Sequence, residues 1–157
     1  MEKTQDAHEI MPGLWLGNRR AAANVEWLRA HGVRAVFNCT KDIPFATDVT
    51  RNYRLPVDDN LAPAEIRNMR AWAPEAVLKL LREWRAGPVL VHCAAGMQRS
   101  AALVAMLLLT TTGKPLNEVM AYIRSKRAIA FFPRANFLPA LTDFESAWMR
   151  ARSEIIK

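Results

Sequence analysis

The sequence has little of several features that define common protein classes. It contains only two cysteines, Cys39 and Cys93, too few for a disulfide framework, and no spacing of Cys and His resembles a zinc site. Its longest apolar run, Ala101 to Leu109, is less than half of the roughly 20 residues that a membrane-spanning helix needs. Residues 1–10 lack the apolar stretch of a signal peptide, so we expect a cytoplasmic protein, with entry into the nucleus left open.

Glycine and proline are also sparse, with 6 and 9 residues among 157, and they are scattered rather than clustered. This argues against a disordered or low-complexity chain, and 51% hydrophobic residues suit one sizeable core. Lys and Arg outnumber Asp and Glu by 22 to 15, and most of these cations are Arg. Since a guanidinium group holds phosphate oxygens two at a time, the charge favours an anionic ligand; a solvated basic surface is the alternative.

Helices and strands alternate in the first part of the chain and are followed by helices only. We predict strands at 13–17, 33–38, 53–57 and 89–91, and helices at 24–31, 64–86 and 101–112, from 115 and from 137. Pro74 is expected to kink or split the second helix. The apolar face of that helix is assigned to Val77, Leu78, Leu81 and Trp84. The sequence therefore predicts one α/β domain, a mostly parallel sheet flanked by helices, over residues 10–150 between tails 1–9 and 151–157.

One segment has the composition of a reactive site. The apolar run Val89–Val91, typical of a central buried strand, continues into His92–Ser100 (HCAAGMQRS) and then into an apolar helix. A loop between a strand and a helix presents backbone N–H groups and a positive helix end to an anion. Such a loop would bring Cys93 and Arg99 together, and the accompanying His, Gly and Ser make the pattern more specific than that spacing alone.

This segment matches H-C-x-x-G-x-x-R-S/T and resembles the signature of the cysteine-dependent protein tyrosine phosphatase superfamily. The chain looks most like the small, atypical dual-specificity phosphatases, because four further motifs follow in family order. These are I-x-P-x-L-x-L-G at Ile10–Gly17, V-x-A-V-F-N-C-T at Val33–Thr40, L-P-V-D-D at Leu55–Asp59 and I-R-S-K-R at Ile123–Arg127. The resemblance covers roughly residues 10–149 and implies a phosphate-binding loop between a core strand and a helix.

The resemblance implies hydrolysis of phosphotyrosine and phosphoserine/threonine in phosphorylated proteins, through a phosphocysteine intermediate and without a metal or other cofactor. Cys93 would be the nucleophile, as a thiolate favoured by the helix end and by Arg99. Arg99 would hold two phosphoryl oxygens, Ser100 would help the thiolate to leave, and His92 would orient the loop rather than donate a proton. The backbone amides that would bind the remaining oxygens belong to Ala94, Ala95, Gly96, Met97, Gln98 and Arg99.

A phosphate ester also needs a general acid for its leaving oxygen. Aligned on the family pattern, Asp59 is the match, and Asp58, one position earlier, is the alternative. Alternatively, one or both of these aspartates cap the following helix.

Several positions depart from the family pattern. Gln98 stands where Ser is common before the signature arginine, and Arg134 follows Pro133 where Asn is common. Asn136 comes two positions later, so that either it substitutes for that Asn, or Arg134 adds a second cation, or loop support comes from elsewhere. Cys39 is interpreted as a small buried hydrophobic residue. The resemblance to some members of the family implies the alternative that Cys39 forms a disulfide with Cys93 under oxidation.

Three other functions are weighed. An RNA 5′-triphosphatase, with nucleic acid as its partner, is favoured by the charge of +7 and by basic residues predicted near the site. These are Arg124, Lys126, Arg127 and Arg134. A phosphoinositide phosphatase would be expected to have basic residues inside the signature loop, and a non-catalytic phosphate-binding module would lack the nucleophile or the acid. We further expect His8 and His31 to be exposed. The active-site cleft is expected to be shallow and rimmed by Met97, Gln98 and residues 131–134.

Overall fold

A computed structural model describes residues 5–48 and 50–156 of the chain. Its centre is a five-stranded sheet with the strand order β1-β2-β5-β3-β4. The strands are β1 Ala7–Met11, β2 Leu14–Gly17, β3 Ala35–Asn38, β4 Arg51–Arg54 and β5 Val89–His92. β1 pairs with β2 in the antiparallel sense and the other pairings are parallel, which confirms the predicted α/β architecture with a mostly parallel sheet.

Helices cover both faces of this sheet. They are α1 Arg19–Ala23, α2 Val25–Ala30, α3 Pro63–Ala86, α4 Arg99–Thr112, α5 Leu116–Lys126 and α6 Leu138–Ile156. α1 and α2 lie on the face where Leu28 packs with Val36 and Leu90. The other helices enclose the larger core, to which Phe37 and Val91 contribute from the opposite face. Among the described residues, no helix has the length and apolar character to cross a membrane.

The central strand is β5, as predicted. All four of its residues are buried, and it pairs with β2 on one side and β3 on the other. Gly17, Asn38 and His92 are register partners at the carboxyl end of these parallel strands. The segments that follow β2, β3 and β5 therefore begin at one edge of the sheet, which is where open α/β sheets bind ligands.

Of the two effects predicted for Pro74, the split of the helix is wrong, and the kink stays a prediction. α3 runs without interruption from Pro63 to Ala86. Its buried residues are Glu65, Met69, Ala73, Val77, Leu80 and Glu83. Leu78, which the sequence analysis assigned to the apolar face of this helix, is 57% exposed. Because the buried face packs against α4 and α6, tertiary contacts hold the helix together across the missing proline N–H.

The element bounds differ from prediction at several places. α1 was not predicted, and β3 and β4 start at residues 35 and 51 instead of 33 and 53. β1 was not predicted; it forms a hairpin with β2 across Pro12 and Gly13, and this turn pair was the available signal. β1 therefore brings residues 7–9, which were predicted to belong to an N-terminal tail, into the sheet. At the other end, α6 extends to Ile156, into the predicted C-terminal tail 151–157. β4 ends three residues before the predicted end at residue 57, because Pro56 has no N–H with which to continue the ladder.

Candidate active site

The loop between β5 and α4, residues 93–98, is called the phosphate loop below. Its turn depends on Gly96, which has φ +69°, a conformation that favours glycine. A Cβ at this position would lie 2.5 Å from the carbonyl oxygen of Gly17. The N–H of Arg19 donates to the carbonyl of Ala94 at 3.0 Å. The loop is thus packed tightly against the end of β2 and the start of α1.

Cys93 lies at the base of this loop with 2% of its surface exposed. Its Sγ is 3.1 Å from the hydroxyl oxygen of Ser100 in the first turn of α4. Burial acts to raise the pKa of Cys93, but the hydroxyl and amide of Ser100, the charge of Arg99 and the amide of Gly96 together lower the pKa below its usual value. These groups favour the thiolate, which is the nucleophilic form.

Arg99 joins the phosphate loop to the segment that carries the two aspartates. Its Nη1 donates to the carbonyl oxygen of Val57 at 3.0 Å. Its Nε is buried and has no hydrogen-bond partner in the part of the chain that the structure describes. Since a buried N–H without a partner is costly, this atom is a candidate donor to a bound anion.

His92 is buried at the end of β5, and its Nδ1 donates to the carbonyl oxygen of Cys93 at 3.2 Å. Burial lowers the pKa of His92 to about 4, with smaller contributions from the nearby charges of Arg54 and Arg99. The ring is therefore neutral at pH 7 and occupied by a backbone contact. This geometry fits the predicted orienting role.

Arg127 is completely buried behind the phosphate loop. Its Nε donates to the carbonyl of Gly96 at 2.9 Å, and its Nη2 donates to the carbonyl of Ala95 at 3.1 Å. Arg127 thus lies near the site, as predicted, but its buried guanidinium is bound to loop carbonyls, whereas Arg124, Lys126 and Arg134 are exposed. Nothing in the motif I-R-S-K-R distinguishes its buried cation from its exposed ones.

Gln98 is buried as well, with 5% exposure. Its Nε2 donates to the carbonyls of Phe132 and Arg134 at 3.1 and 2.9 Å, and its Oε1 accepts from the N–H of Asn136 at 2.9 Å. The backbone N–H of Phe131 donates to the carbonyl of Met97 at 2.8 Å. Gln98 therefore acts as a tie between the phosphate loop and residues 131–136, a role that the sequence analysis missed.

Only some of the side chains predicted to rim the cleft are exposed; the predicted set is Met97, Gln98 and residues 131–134. Phe131 is 2% exposed and Gln98 is buried, so neither presents its side chain as an open wall. Phe132, with 64% exposure, and Arg134 are the exposed members of the segment, and Met97 is half-buried. The depth of the cleft stays a prediction.

The two aspartates have different surroundings. Asp59 is exposed, and its Oδ1 accepts from Nδ2 of Asn136 at 2.9 Å. Asp58 is half-buried, and its Oδ2 forms an ion pair of 3.2 Å with Lys41. Asn136 thus contacts the acid candidate through its side chain and Gln98 through its backbone N–H.

Neither aspartate caps the following helix. The N-cap of α3 is Ala62, whose side chain makes no cap bond, and the N–H of Ala62 donates to Oδ1 of Asn60. The alternative of a capping role is therefore wrong. The segment is held instead by Glu65, which accepts from the N–H of Asp58 at 3.1 Å and from Nζ of Lys41 at 2.6 Å. The hydrogen bond from Lys41, with those from Asn68 and the Asp58 amide, lowers the pKa of Glu65 to about 2.

Cys39 follows β3 and is fully buried, and its N–H donates to the carbonyl of His92 at 2.8 Å. Burial, and then the proximity of Cys93, raise the pKa of the Cys39 thiol well above its usual value, against a smaller lowering by Arg99. A protonated, buried thiol agrees with the interpretation of Cys39 as a small hydrophobe.

Comparison with known proteins gives consistent results. The family model described as dual specificity phosphatase, catalytic domain, matches residues 14–147. Human dual specificity protein phosphatase 4 is 33% identical over 141 residues, which cover 88% of this chain and 34% of that protein. Human dual specificity protein phosphatase 2 is 30% identical over 142 residues, covering 88% of this chain and 43% of that protein. The chain therefore spans between about a third and two fifths of the length of these relatives.

Among solved structures, human DUSP28 superimposes with a TM-score of 0.83 at 27% identity, and the match covers 94% of this chain and 97% of that one. This likeness confirms the predicted fold. It also agrees with the resemblance to the small, atypical group drawn from the sequence.

Proposed function

Since this chain belongs to the family of dual specificity phosphatase catalytic domains, we propose that it hydrolyses phosphotyrosine and phosphoserine/threonine in proteins through a phosphocysteine intermediate. The observation that carries the proposal is the contact between Cys93 Sγ and the Ser100 hydroxyl at 3.1 Å, below a loop whose amides and Arg99 suit an anion. Phosphorylated proteins are the proposed partners.

In the first step, the Cys93 thiolate attacks phosphorus, the S–P bond forms and the bond to the leaving oxygen breaks. Nε of Arg99 and the amides of residues 94–99 hold the non-bridging oxygens as they gain charge. Asp59 donates its proton to the leaving oxygen. Its Oδ1 accepts a hydrogen bond from Asn136, whereas Oδ2 of Asp58 is engaged in the ion pair with Lys41.

In the second step, water attacks the phosphocysteine, and the S–P bond breaks to release inorganic phosphate. Asp59, now a carboxylate, accepts a proton from the attacking water. The hydroxyl of Ser100 donates to the departing thiolate, for which its present contact with Sγ is suited.

The alternative functions are less well supported. The loop side chains between Cys93 and Arg99 are uncharged, which does not favour a multiply charged lipid headgroup. Burial of Arg127 removes one of the cations on which the RNA 5′-triphosphatase alternative depended. A non-catalytic module is disfavoured because Cys93, Arg99 and Asp59 are all retained.

Initial rates on four substrates test this function: a phosphotyrosine peptide, a phosphothreonine peptide, 5′-triphosphate RNA and phosphoinositide vesicles. We expect the phosphotyrosine peptide to be fastest because a phenol is the better leaving group, with the phosphothreonine peptide also hydrolysed. Acidic residues beside the phosphorylated residue of a peptide should raise its rate of hydrolysis, because the exposed Arg134 attracts them. This preference should weaken as salt is added, since charges are screened over about 8 Å at physiological ionic strength. Fastest turnover of RNA or lipid would contradict the proposal, and strict rejection of phosphothreonine would make the enzyme tyrosine-specific.

Replacing Asn136 with alanine tests how Asp59 is positioned. Loss of one hydrogen bond of this type corresponds to a fall of about 2- to 10-fold in kcat/KM on phenyl phosphate. The fall should be smaller on p-nitrophenyl phosphate, whose leaving group needs less protonation. Asn117→Ala, at an exposed position on α5, is the matched control. An equal fall on both substrates would show that Asn136 supports the loop without acting through the acid.

A further inference from the structure

The guanidinium of Arg127 bridges two parts of the chain that are far apart in sequence. Two of its hydrogen bonds, to Gly96 and Ala95, reach the phosphate loop. The other two come from Nη1, which donates to the carbonyl of Gln5 at 2.8 Å and to Nδ1 of His8 at 2.9 Å. No carboxylate forms an ion pair with Arg127 in the described parts of the chain. Its direction is therefore set by these neutral acceptors.

The contact between Arg127 and His8 fixes the proton of the histidine. Every N–H of a guanidinium is a donor, so Nδ1 of His8 must be an acceptor and the ring must be neutral. His8 is half-buried rather than exposed as predicted; burial, and then the charge of Arg127, lower the pKa of His8. A protonated His8 would place a second donor and a like charge against Arg127.

Few other charged groups lie around this pair. β2, the strand paired with β1, contains no titratable residue. On α5, Tyr122 donates to the carbonyl of Ile10, and Lys126 lies over the Tyr122 ring. Burial lowers the pKa of Arg127, and two charges act against this, that of Cys93 and then that of Asp6, which accepts from Nδ2 of Asn18 at 3.0 Å. Glu9, on the same strand as His8, accepts from the N–H of Gly13 at 2.9 Å.

Arg127 in turn determines which way the loop groups point. The carbonyls of Ala95 and Gly96 are directed to the guanidinium, which keeps these oxygens away from an anion in the loop. On its other side, Gly96 is confined by Gly17. Without its acceptors on Gln5 and His8, the guanidinium of Arg127 could rotate and break its hydrogen bonds to the two loop carbonyls.

We infer that His8 is a positioning residue of the phosphate loop: by accepting from Arg127, it holds the guanidinium against the carbonyls of Ala95 and Gly96. His8 precedes residues 14–147, the part that the family model matches, so this chain supports its loop with a residue outside that region. The inference rests on the proposed function only in taking the bound anion to be the phosphate of a substrate.

The test compares His8→Ala, His8→Asn and Glu9→Ala with the unaltered chain. Tungstate binding is measured by calorimetry, and kcat/KM on p-nitrophenyl phosphate is measured between pH 5 and 8. At pH 7.5, His8→Ala should weaken tungstate binding and lower kcat/KM, each by about tenfold, as for loss of a hydrogen bond to a charged group. His8→Asn should recover most of both, because the Asn Oδ1 occupies the place of Nδ1. Glu9→Ala, at an exposed position of the same strand, removes the acceptor of the Gly13 N–H at the hairpin turn and so controls for support of β1; it should change neither value appreciably.

The pH profile separates positioning from mere support of β1. The hydrogen bond is complete above the ordinary histidine pKa of 6.5 and is lost as pH falls through the lowered value of the folded protein. Asn does not titrate, and the titrating groups that both proteins share cancel in the ratio of kcat/KM for the unaltered chain to kcat/KM for His8→Asn. This ratio should therefore decrease as the pH is lowered from 6.5 through the lowered pKa of His8. A flat ratio, unchanged tungstate binding in His8→Ala, or equal damage from Glu9→Ala overturns the inference. If His8→Ala does not fold, the ratio alone decides. Tungstate binding that depends on His8, without hydrolysis of any phosphate ester, would refute the proposed function and retain the positioning role.

Discussion

Cys93→Ser is expected to abolish hydrolysis of phosphate esters, with kcat reduced by at least about 10⁴-fold, as for loss of a catalytic nucleophile. A serine hydroxyl at this site does not ionise comparably, because an alcohol is a far weaker acid than a thiol and the groups that lower the pKa of Cys93 do not make up that difference. Tungstate binding should stay within about tenfold of the unaltered chain, because the loop amides and Arg99 are retained and contribute most of the anion binding. Steady-state kinetics and calorimetry measure the two effects.

The companion variant Arg99→Ala should damage both turnover and tungstate binding, because it removes Nε from the anion and releases the carbonyl of Val57. Cys39→Ala is the control for loss of a buried thiol and should keep its turnover. Rapid quenching of the unaltered chain should trap a phosphoenzyme that is absent from Cys93→Ser. Near-normal hydrolysis by Cys93→Ser, with no phosphoenzyme in the unaltered chain, would refute the cysteine mechanism.

The groups of the loop itself are predictable because one short segment carries them. Residues 92–100 contain the nucleophile, the arginine and the serine, and the strand before and helix after them are evident from apolar patterning. The structure places Ser100 Oγ at Sγ of Cys93 and puts Gly96 at a positive φ, in agreement with the local sequence. Local sequence suffices here because the turn and the helix end generate the geometry together.

The supporting groups are not predictable in this way. Arg127 is 31 residues from Gly96, and Asn136 is 77 residues from Asp59, so each contact depends on how helices pack after the sheet has formed. The sequence shows which residues are cations or amides but not which of them the packing buries. His8 is the extreme case, since its contact with Arg127 spans 119 residues and requires a strand that was not predicted.

Asp59→Asn is expected to lower kcat/KM on phenyl and alkyl phosphates by about 10²- to 10⁴-fold, the usual contribution of general-acid catalysis. Asn cannot supply a proton to the leaving oxygen, although its amide resembles the carboxyl group in size. The loss should be much smaller on p-nitrophenyl phosphate because that phenolate leaves readily without a proton. Tungstate binding should be unaffected, because Asp59 does not belong to the loop.

Asp58→Asn is the matched control, one position away and equal in charge and size. It removes the ion pair with Lys41 but leaves Glu65 holding both Lys41 and the Asp58 N–H, so the segment stays in place. Its effect should therefore be small and independent of the leaving group. A large, leaving-group-dependent loss in Asp58→Asn with little change in Asp59→Asn would transfer the acid role to Asp58. If both variants hydrolysed phenyl phosphate at the normal rate, neither aspartate would be the acid, and the contact of Asn136 with Asp59 would be structural only.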